Sequence, residues 1–233
     1  IATPDYEMPT DVGGNNVYDV IVQVSDGTLT DSQVLAVTVT DVNDLAPVIT
    51  SNGGGASASL NVAENATAVT TVTATDVDGP SLTYSISGGA DASKFTIDAS
   101  TGVLSFLAAP DYEAPTDAGG SNVYDVIVQV SDGSLTDTQA IAVTVTDVND
   151  VAPAITSDGG GASASLNVAE NGTAVTKVTA TDVDGPSQTY SIAGGADAAK
   201  FTINAGTGVL SFVMAPDYEA PTDAGGNNVY DVA

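Results

Sequence analysis

The sequence is most informative first in what it lacks. Its 233 residues include no cysteine, no histidine, no tryptophan and only three basic side chains, Lys94, Lys177 and Lys200. Without cysteine there are no disulfide staples and no thiolate sites, while the redox compartment stays open. Zinc loses its usual ligands, and nucleophilic or general-base catalysis loses its usual groups, so the chain is not expected to be an enzyme. No apolar run approaches 18 residues, so no membrane-spanning helix is expected. No leader peptide is visible, and the chain opens in mid-pattern at Ile1.

What is abundant is acid. Thirty Asp and Glu face three lysines, for a net charge of −27. Nucleic acid and anionic lipid would both be repelled, so neither is an expected partner. The acids also repel one another, and divalent cations are the natural means of offsetting that. The hydrophobic share of 42% is ample for a core, so the acidity does not signal disorder. Valine, threonine, alanine, glycine and aspartate dominate, as in proteins built of short strands and tight turns.

The chain repeats itself every 106 residues. Pro4-Asp5-Tyr6-Glu7 recurs as Pro110-Asp111-Tyr112-Glu113 and Pro216-Asp217-Tyr218-Glu219, and about 14 of 83 positions differ between 45–127 and 151–233. Thr40-Asp41-Val42-Asn43-Asp44-Leu45-Ala46-Pro47 and its copy at 146–153 each close an apolar alternation and lead to a proline, so they read as linkers. Residues 45–150 then form a whole repeat, 1–44 the C-terminal part of one, and 151–233 the N-terminal part of another.

Within the whole repeat the hydrophobic period is two. Leu60 with Val62, Val72 with Ala74, Tyr84 with Ile86, Phe95 with Ile97, and Leu104 with Phe106 mark five strands. Tyr124, Val126, Val128 and Val130 form the longest inward row, and Ile141, Val143 and Val145 close the domain. The segments between are turn formers, including Asp78-Gly79-Pro80, Gly88-Gly89, Gly119-Gly120 and Asp132-Gly133. Seven short strands in about 100 residues is the immunoglobulin-like pattern, and no helix of useful length is expected.

Several acids stand at strand ends. Glu64 follows Val62-Ala63, Asp76 and Asp78 flank Val77, Asp111 and Glu113 flank Tyr112, and Asp132 ends the long strand. Two residues apart in extended backbone, such pairs project to one side and can offer two oxygens to one cation. Singly, an Asp in a turn is more often an Asx-turn or cap.

Together, Ala63-Glu64-Asn65, Asp76-Val77-Asp78, Asp111-Tyr112-Glu113, Asp132-Gly133 and Asp147-Val148-Asn149-Asp150 resemble the calcium motifs of cadherin repeats, in cadherin order. The segment Ala-Pro-Thr-Asp-Ala-Gly-Gly at 114–120 brings the wording closer to cadherin-like repeats of large bacterial surface proteins of adhesin type. The resemblance implies an all-β fold of tandem seven-stranded Greek-key sandwiches in an elongated array, with Ca2+ at each junction. It assigns Asp5, Glu7, Asp41, Asn43 and Asp44, with Asp76, Asp78 and Asp132, to the first junction. The second receives Glu64, Asp111, Glu113, Asp147, Asn149 and Asp150, with Asp182 and Asp184. Leu45 and Val151 stand where animal linkers carry an Asn that contributes mainly through its backbone.

Other metal motifs fit worse. An EF-hand would need its glycine later than Gly79 and a glutamate where Ser87 stands. Asn65-Ala66-Thr67 and Asn171-Gly172-Thr173 match the glycosylation sequon, but chance is the better account.

The expected role is a calcium-rigidified structural or adhesive module of an extracellular bacterial surface protein or filament. Its expected partners are neighbouring repeats, or identical chains meeting end to end through complementation of 1–44 with 151–233. The alternative is a carbohydrate-binding module with glycans as partners, which requires an exposed aromatic platform.

Overall fold

The computed structural model describes residues 3–79 and 81–233, which divide into two compact units at Thr146/Asp147. The first unit opens with a hairpin, β1 (Val17–Ser25) and β2 (Thr30–Thr38). The repeat that follows carries β3 (Val48–Ile49), β4 (Ser57–Ala63), β5 (Ala68–Thr71), β6 (Ala74–Thr75) and β7 (Thr83–Gly88). It continues with β8 (Phe95–Ile97), β9 (Val103–Phe106), β10 (Val123–Ser131) and β11 (Thr136–Thr146). Four of these pair in the order β4-β11-β10-β7, three as β5-β9-β8, and two as β3-β6. The strands β4 and β11 run parallel, with Ser57 opposite Ala140 and Ala63 opposite Thr146. All other pairs are antiparallel.

The period-two pattern sets which side chains go inside. Tyr124, Val126, Val128 and Val130 are buried, as are Ile141, Val143 and Val145 on the neighbouring strand. Asp125, Ile127 and Gln129 alternate out of that row. Val72, Phe95, Leu104 and Phe106 belong to the same core. Phe95 and Phe106 stack with ring centres 4.5 Å apart, and both meet Tyr124 edge-on, a favoured aromatic arrangement. The hydroxyl of Tyr124 accepts the Thr116 N–H at 3.1 Å, so its polar end is satisfied. The fully buried Gln139 is satisfied too, donating to the Gly55 carbonyl at 2.8 Å and accepting from Asn52 at 3.2 Å.

One strand differs from expectation. The alternation Thr71–Thr75 predicts a single strand, but β5 stops at Thr71 and β6 resumes at Ala74. At the break the Val72 N–H donates to the Gly102 carbonyl, while the Thr73 carbonyl accepts from Thr50, so the chain leaves the β9 ladder for that of β3. Gly102 has φ +70°, and a Cβ there would strike the Val72 carbonyl oxygen, so only glycine allows this crossing. Helical structure among the described residues consists of the three-residue 3-10 turns Ala92–Lys94, Ser157–Gly159 and Ala198–Lys200. Of the turn Asp78-Gly79-Pro80, Pro80 lies outside the described residues.

The second unit carries β12 (Ala154–Ile155), β13 (Ala174–Lys177), β14 (Ala180–Thr181), β15 (Phe201–Ile203) and β16 (Val209–Phe212). Phe201 and Phe212 stack at 4.6 Å against the edge of Tyr230, repeating the aromatic cluster of the first unit. Residues 163–169 have the same seven residues as β4 yet form no strand. In the first unit those residues pair with β11.

β1 and β10 have the same nine residues and equivalent registers, Val17 opposite Thr38 and Val123 opposite Thr144. Their burial differs sharply: Val126 is 1% exposed and its counterpart Val20 is 45% exposed. β10 lies between two strands, whereas β1 pairs only with β2 among the described residues. Val126→Ala is therefore expected to cost about 1.5–3 kcal/mol in the unfolding of repeat 45–150. Val20→Ala should stay within about 0.5 kcal/mol in the same denaturant titration.

Candidate metal centre

The first linker is held by the strand end beneath it. Asp78 Oδ2 accepts the N–H groups of Asp44 at 2.7 Å and Leu45 at 2.8 Å. Leu45 takes part in this clamp through its backbone N–H alone. The second linker repeats the clamp inside the second unit, with Asp184 Oδ2 accepting from Asp150 at 2.6 Å and Val151 at 2.7 Å. A carboxylate that takes two main-chain donors fixes the path of the linker, and each clamp leaves its other oxygen for something else.

Those other oxygens are the unusual feature. Among the described residues, Asn43 Oδ1, both oxygens of Asp76, Asp78 Oδ1 and Asp132 Oδ2 are buried with no hydrogen-bond partner. Asp182 Oδ1 and Asp184 Oδ1 repeat the pattern in the second unit. A buried carboxylate oxygen without a donor is costly, and native folds leave few of them. The unit-one atoms belong to one neighbourhood. A Cβ on Gly79 would collide with Asp76 Oδ2 and come within 3.0 Å of Asp132 Cβ, so glycine lets these side chains close together. A Cβ on Gly185 would likewise strike Asp182.

The two oxygens of Asp132 differ in their surroundings. Its Oδ1 accepts from Ser134 at 2.6 Å and Leu135 at 2.7 Å, an Asx-type cap, while Oδ2 is one of the unpartnered atoms. The Leu135 and Ser134 N–H groups hold its pKa below the ordinary value, helped by the nearby Asn43 side chain and opposed by desolvation and the charge of Asp78. Desolvation pushes Asp78 upward, but the Leu45 and Asp44 N–H groups and the neighbouring Asp76 lower it overall. Glu7 goes the other way. Its own backbone N–H lowers it, but desolvation, the contact with Asp41 and the charge of Asp44 outweigh that and raise it. Glu7 and Asp44 also line a surface pocket with Asp5 and Thr40. Asp5 itself accepts locally from the Met8 N–H at 3.0 Å.

The remaining expected ligands are placed as follows. Glu64 is buried and its Oε2 accepts the Tyr112 N–H at 2.7 Å, joining two of the motifs. Asp111 is exposed and caps Ala114 at 3.0 Å, the ordinary turn role. Glu113 is half-buried in the first unit, and Asp147 and Asn149 are exposed at the start of the second. A further group carries no expectation from the motifs: Glu170, Asp217 and Glu219 bring ligand oxygens within 4.8 Å of one another. They lie 106 residues after Glu64, Asp111 and Glu113, so the repeat period is the signal that marks them.

Sterically close, negatively charged oxygens without N–H donors suit a hard divalent cation, and carboxylate plus amide oxygen is the donor set calcium takes. By contrast, Phe95, Phe106 and Tyr124 are spent in the core, where they offer no platform to a sugar ring.

Fold and site together define a tandem β-sandwich repeat with acidic linkers. Residues 58–146 match the family model for the Cadherin domain. Human Protocadherin Fat 1 is 32% identical over 135 residues, 56% of this chain and 3% of that protein. Human Protocadherin-23 is 35% identical over 162 residues, 66% of this chain and 4% of that protein. The chain thus spans a small fraction of the relatives it matches. Among solved structures, the Protocadherin gammaB7 EC3-6 cis-dimer is 28% identical with TM-score 0.62, covering 87% of this chain and 52% of that one. Protocadherin Gamma B2 extracellular cadherin domains 3-6 is 26% identical with TM-score 0.59, covering 92% and 54%.

Acid should expose the local clamps. Asp117 is buried; desolvation pushes its pKa up, but the N–H groups of Ser121, Asn122 and Gly119 pull it below the ordinary 3.8. A lowered folded-state pKa means stability present above the unfolded value and lost as pH falls through the folded one. Resistance to thermal unfolding in chelator should therefore weaken below about pH 4, and Asp117→Asn should be less stable at pH 7 with a shallower loss in acid.

Proposed function

We propose that the chain is an extracellular, cadherin-like structural and adhesive repeat whose linkers are stiffened by calcium. The observation that carries this reading is the set of buried, donor-less oxygens of Asn43, Asp76, Asp78 and Asp132 below the first linker. Calcium accepts six to eight oxygens in flexible geometry, so it neutralises such a set without a rigid cage. Asp5, Glu7, Asp41 and Asp44 complete the first set. By repeat equivalence, Asp147, Asn149, Asp150, Asp182 and Asp184 are the corresponding residues of the second linker, and Glu64, Asp111 and Glu113 are those of repeat 45–150 that correspond to its upstream ligands. Source in a bacterial surface protein belongs to the same proposal and rests on the wording of 114–120.

The partners are neighbouring repeats, in the same or an adjacent chain. The β1–β2 hairpin presents valine, isoleucine and leucine side chains to solvent, and the second unit holds a groove lined by Ile155, Tyr190, Ile192, Leu210 and Val232. In repeat 45–150 the corresponding surfaces cover each other as β10 and β11 pack with β8 and β9 in one core. Segments of the 1–44 and 151–233 types are therefore complementary.

Calcium should raise the thermal midpoint of the 233-residue polypeptide, by the equivalent of about 2.7 kcal/mol at a hundredfold excess over Kd. Asp76→Asn should melt no lower than wild type in chelator, since it removes a charge that has no donor, and should lose part of the calcium response. Equal midpoints with calcium and with chelator would refute the reading. Solution mass measured against 23.0 kDa tests complementation: head-to-tail pairing gives multiples of that mass, and Val22→Asp with Leu35→Asp, at the positions of buried Val128 and Ile141, returns the monomer.

A further inference from the structure

The segment from Pro110 to Tyr124 is tied down by side-chain hydrogen bonds, and two of them grip the main chain of Tyr112 between Asp111 and Glu113. The Asn122 side-chain amide donates to the Tyr112 carbonyl at 2.9 Å. Asn16 does the same to Tyr6 at 2.8 Å and Asn228 to Tyr218 at 3.0 Å. Each asparagine has φ between +60° and +63°, a conformation asparagine tolerates better than most residues. Each is locked there by an aspartate five residues earlier, whose carboxylate accepts its N–H at 3.0 Å: Asp11, Asp117 and Asp223. In the complete repeat a further buried carboxylate, Asp91, ties this loop to β10, accepting from Ala118 at 2.7 Å and Asp125 at 2.9 Å. Asp197 repeats this with Ala224 and Asp231 at the same two distances.

This grip has a local penalty. Asn122 Oδ1 and Asn16 Oδ1 are buried and without a partner among the described residues. The bonds of each amide are made from its nitrogen side. That other side holds the peptide midway between two acids.

We propose that Asn16, Asn122 and Asn228 are positioning residues for the metal centre. Each fixes the Asp-Tyr-Glu backbone, and with it the place from which both acids reach out, whether or not a cation is bound. The inference rests on the calcium reading above. The Asp11, Asp117 and Asp223 boxes preset each asparagine, and Asp91 and Asp197 anchor the loop to the sheet, so positioning does not depend on bound metal.

The test is calorimetric calcium titration of the 233-residue chain and of Asn122→Gly and Asn16→Gly, each paired with melting in chelator. Glycine accepts the positive φ and removes only the amide. Calcium affinity about tenfold weaker at the affected sites, with the chelator midpoint unchanged, supports positioning. Unchanged affinity in both variants overturns it while leaving the calcium reading intact. No calcium binding by the wild-type chain overturns the calcium reading and this inference with it. Should Asn122→Gly unfold the repeat, Asn16→Gly, ahead of β1 and outside repeat 45–150, decides between the same two outcomes at the first linker.

Discussion

Mutual repulsion of carboxylates that the fold brings together is the constraint on which the linker region depends. Two unit charges 4 Å apart interact by about 4 kcal/mol at an effective dielectric of 20, comparable with the contribution of several core side chains. Elsewhere the same fold shows how it satisfies a buried acid. Asp91 accepts main-chain N–H groups on both oxygens, and Asp117 accepts from Gly119, Ser121 and Asn122. Near the linker the supply of donors stops: Asp78 receives two N–H groups on one oxygen, and Asp76 receives none. The contrast lies within one sandwich, so it reflects the site and not a general shortage of donors in an acidic chain.

That distribution separates two roles for acids that composition alone merges. The clamps of Asp78 and Asp184 on their linkers are hydrogen bonds that the fold makes by itself, and they fix where the linker runs. The unpartnered oxygens make no hydrogen bond among the described residues. The first linker is thus fixed in its backbone while neighbouring side chains stay unsatisfied.

Much of the sandwich was legible in the sequence because its strands obey a strict period of two and because turns carry glycine at strand ends. The inward row from Tyr124 to Val130 lies where alternation places it. The break between Thr71 and Ala74 was not legible, since it depends on a carbonyl at Gly102, distant in sequence from Val72. Nor does sequence alone decide strand against coil for the seven residues shared by 57–63 and 163–169, since the first set is a strand paired with β11 and the second is not a strand. At the site, the spacing of acids marked Asp76, Asp78 and Asp132, while Glu170, Asp217 and Glu219 went unmarked although the repeat period carries the signal for them. Asp91 carried no motif, because its role is to bond backbone groups at 118 and 125 that only the folded chain brings near.

The asparagine in the 111–122 loop shows why short motifs understate such a site. Asp-Tyr-Glu specifies two ligands in sequence, but their direction depends on a peptide plane that rotates unless something holds it. Glu64 grips that segment from the N–H of Tyr112 and Asn122 grips it from the carbonyl, so the segment is held on both sides of one residue. One grip comes from a carboxylate, whose strength depends on its charge. The other comes from a neutral amide, so the carbonyl side of Tyr112 is held whatever the ionisation of the acids around it.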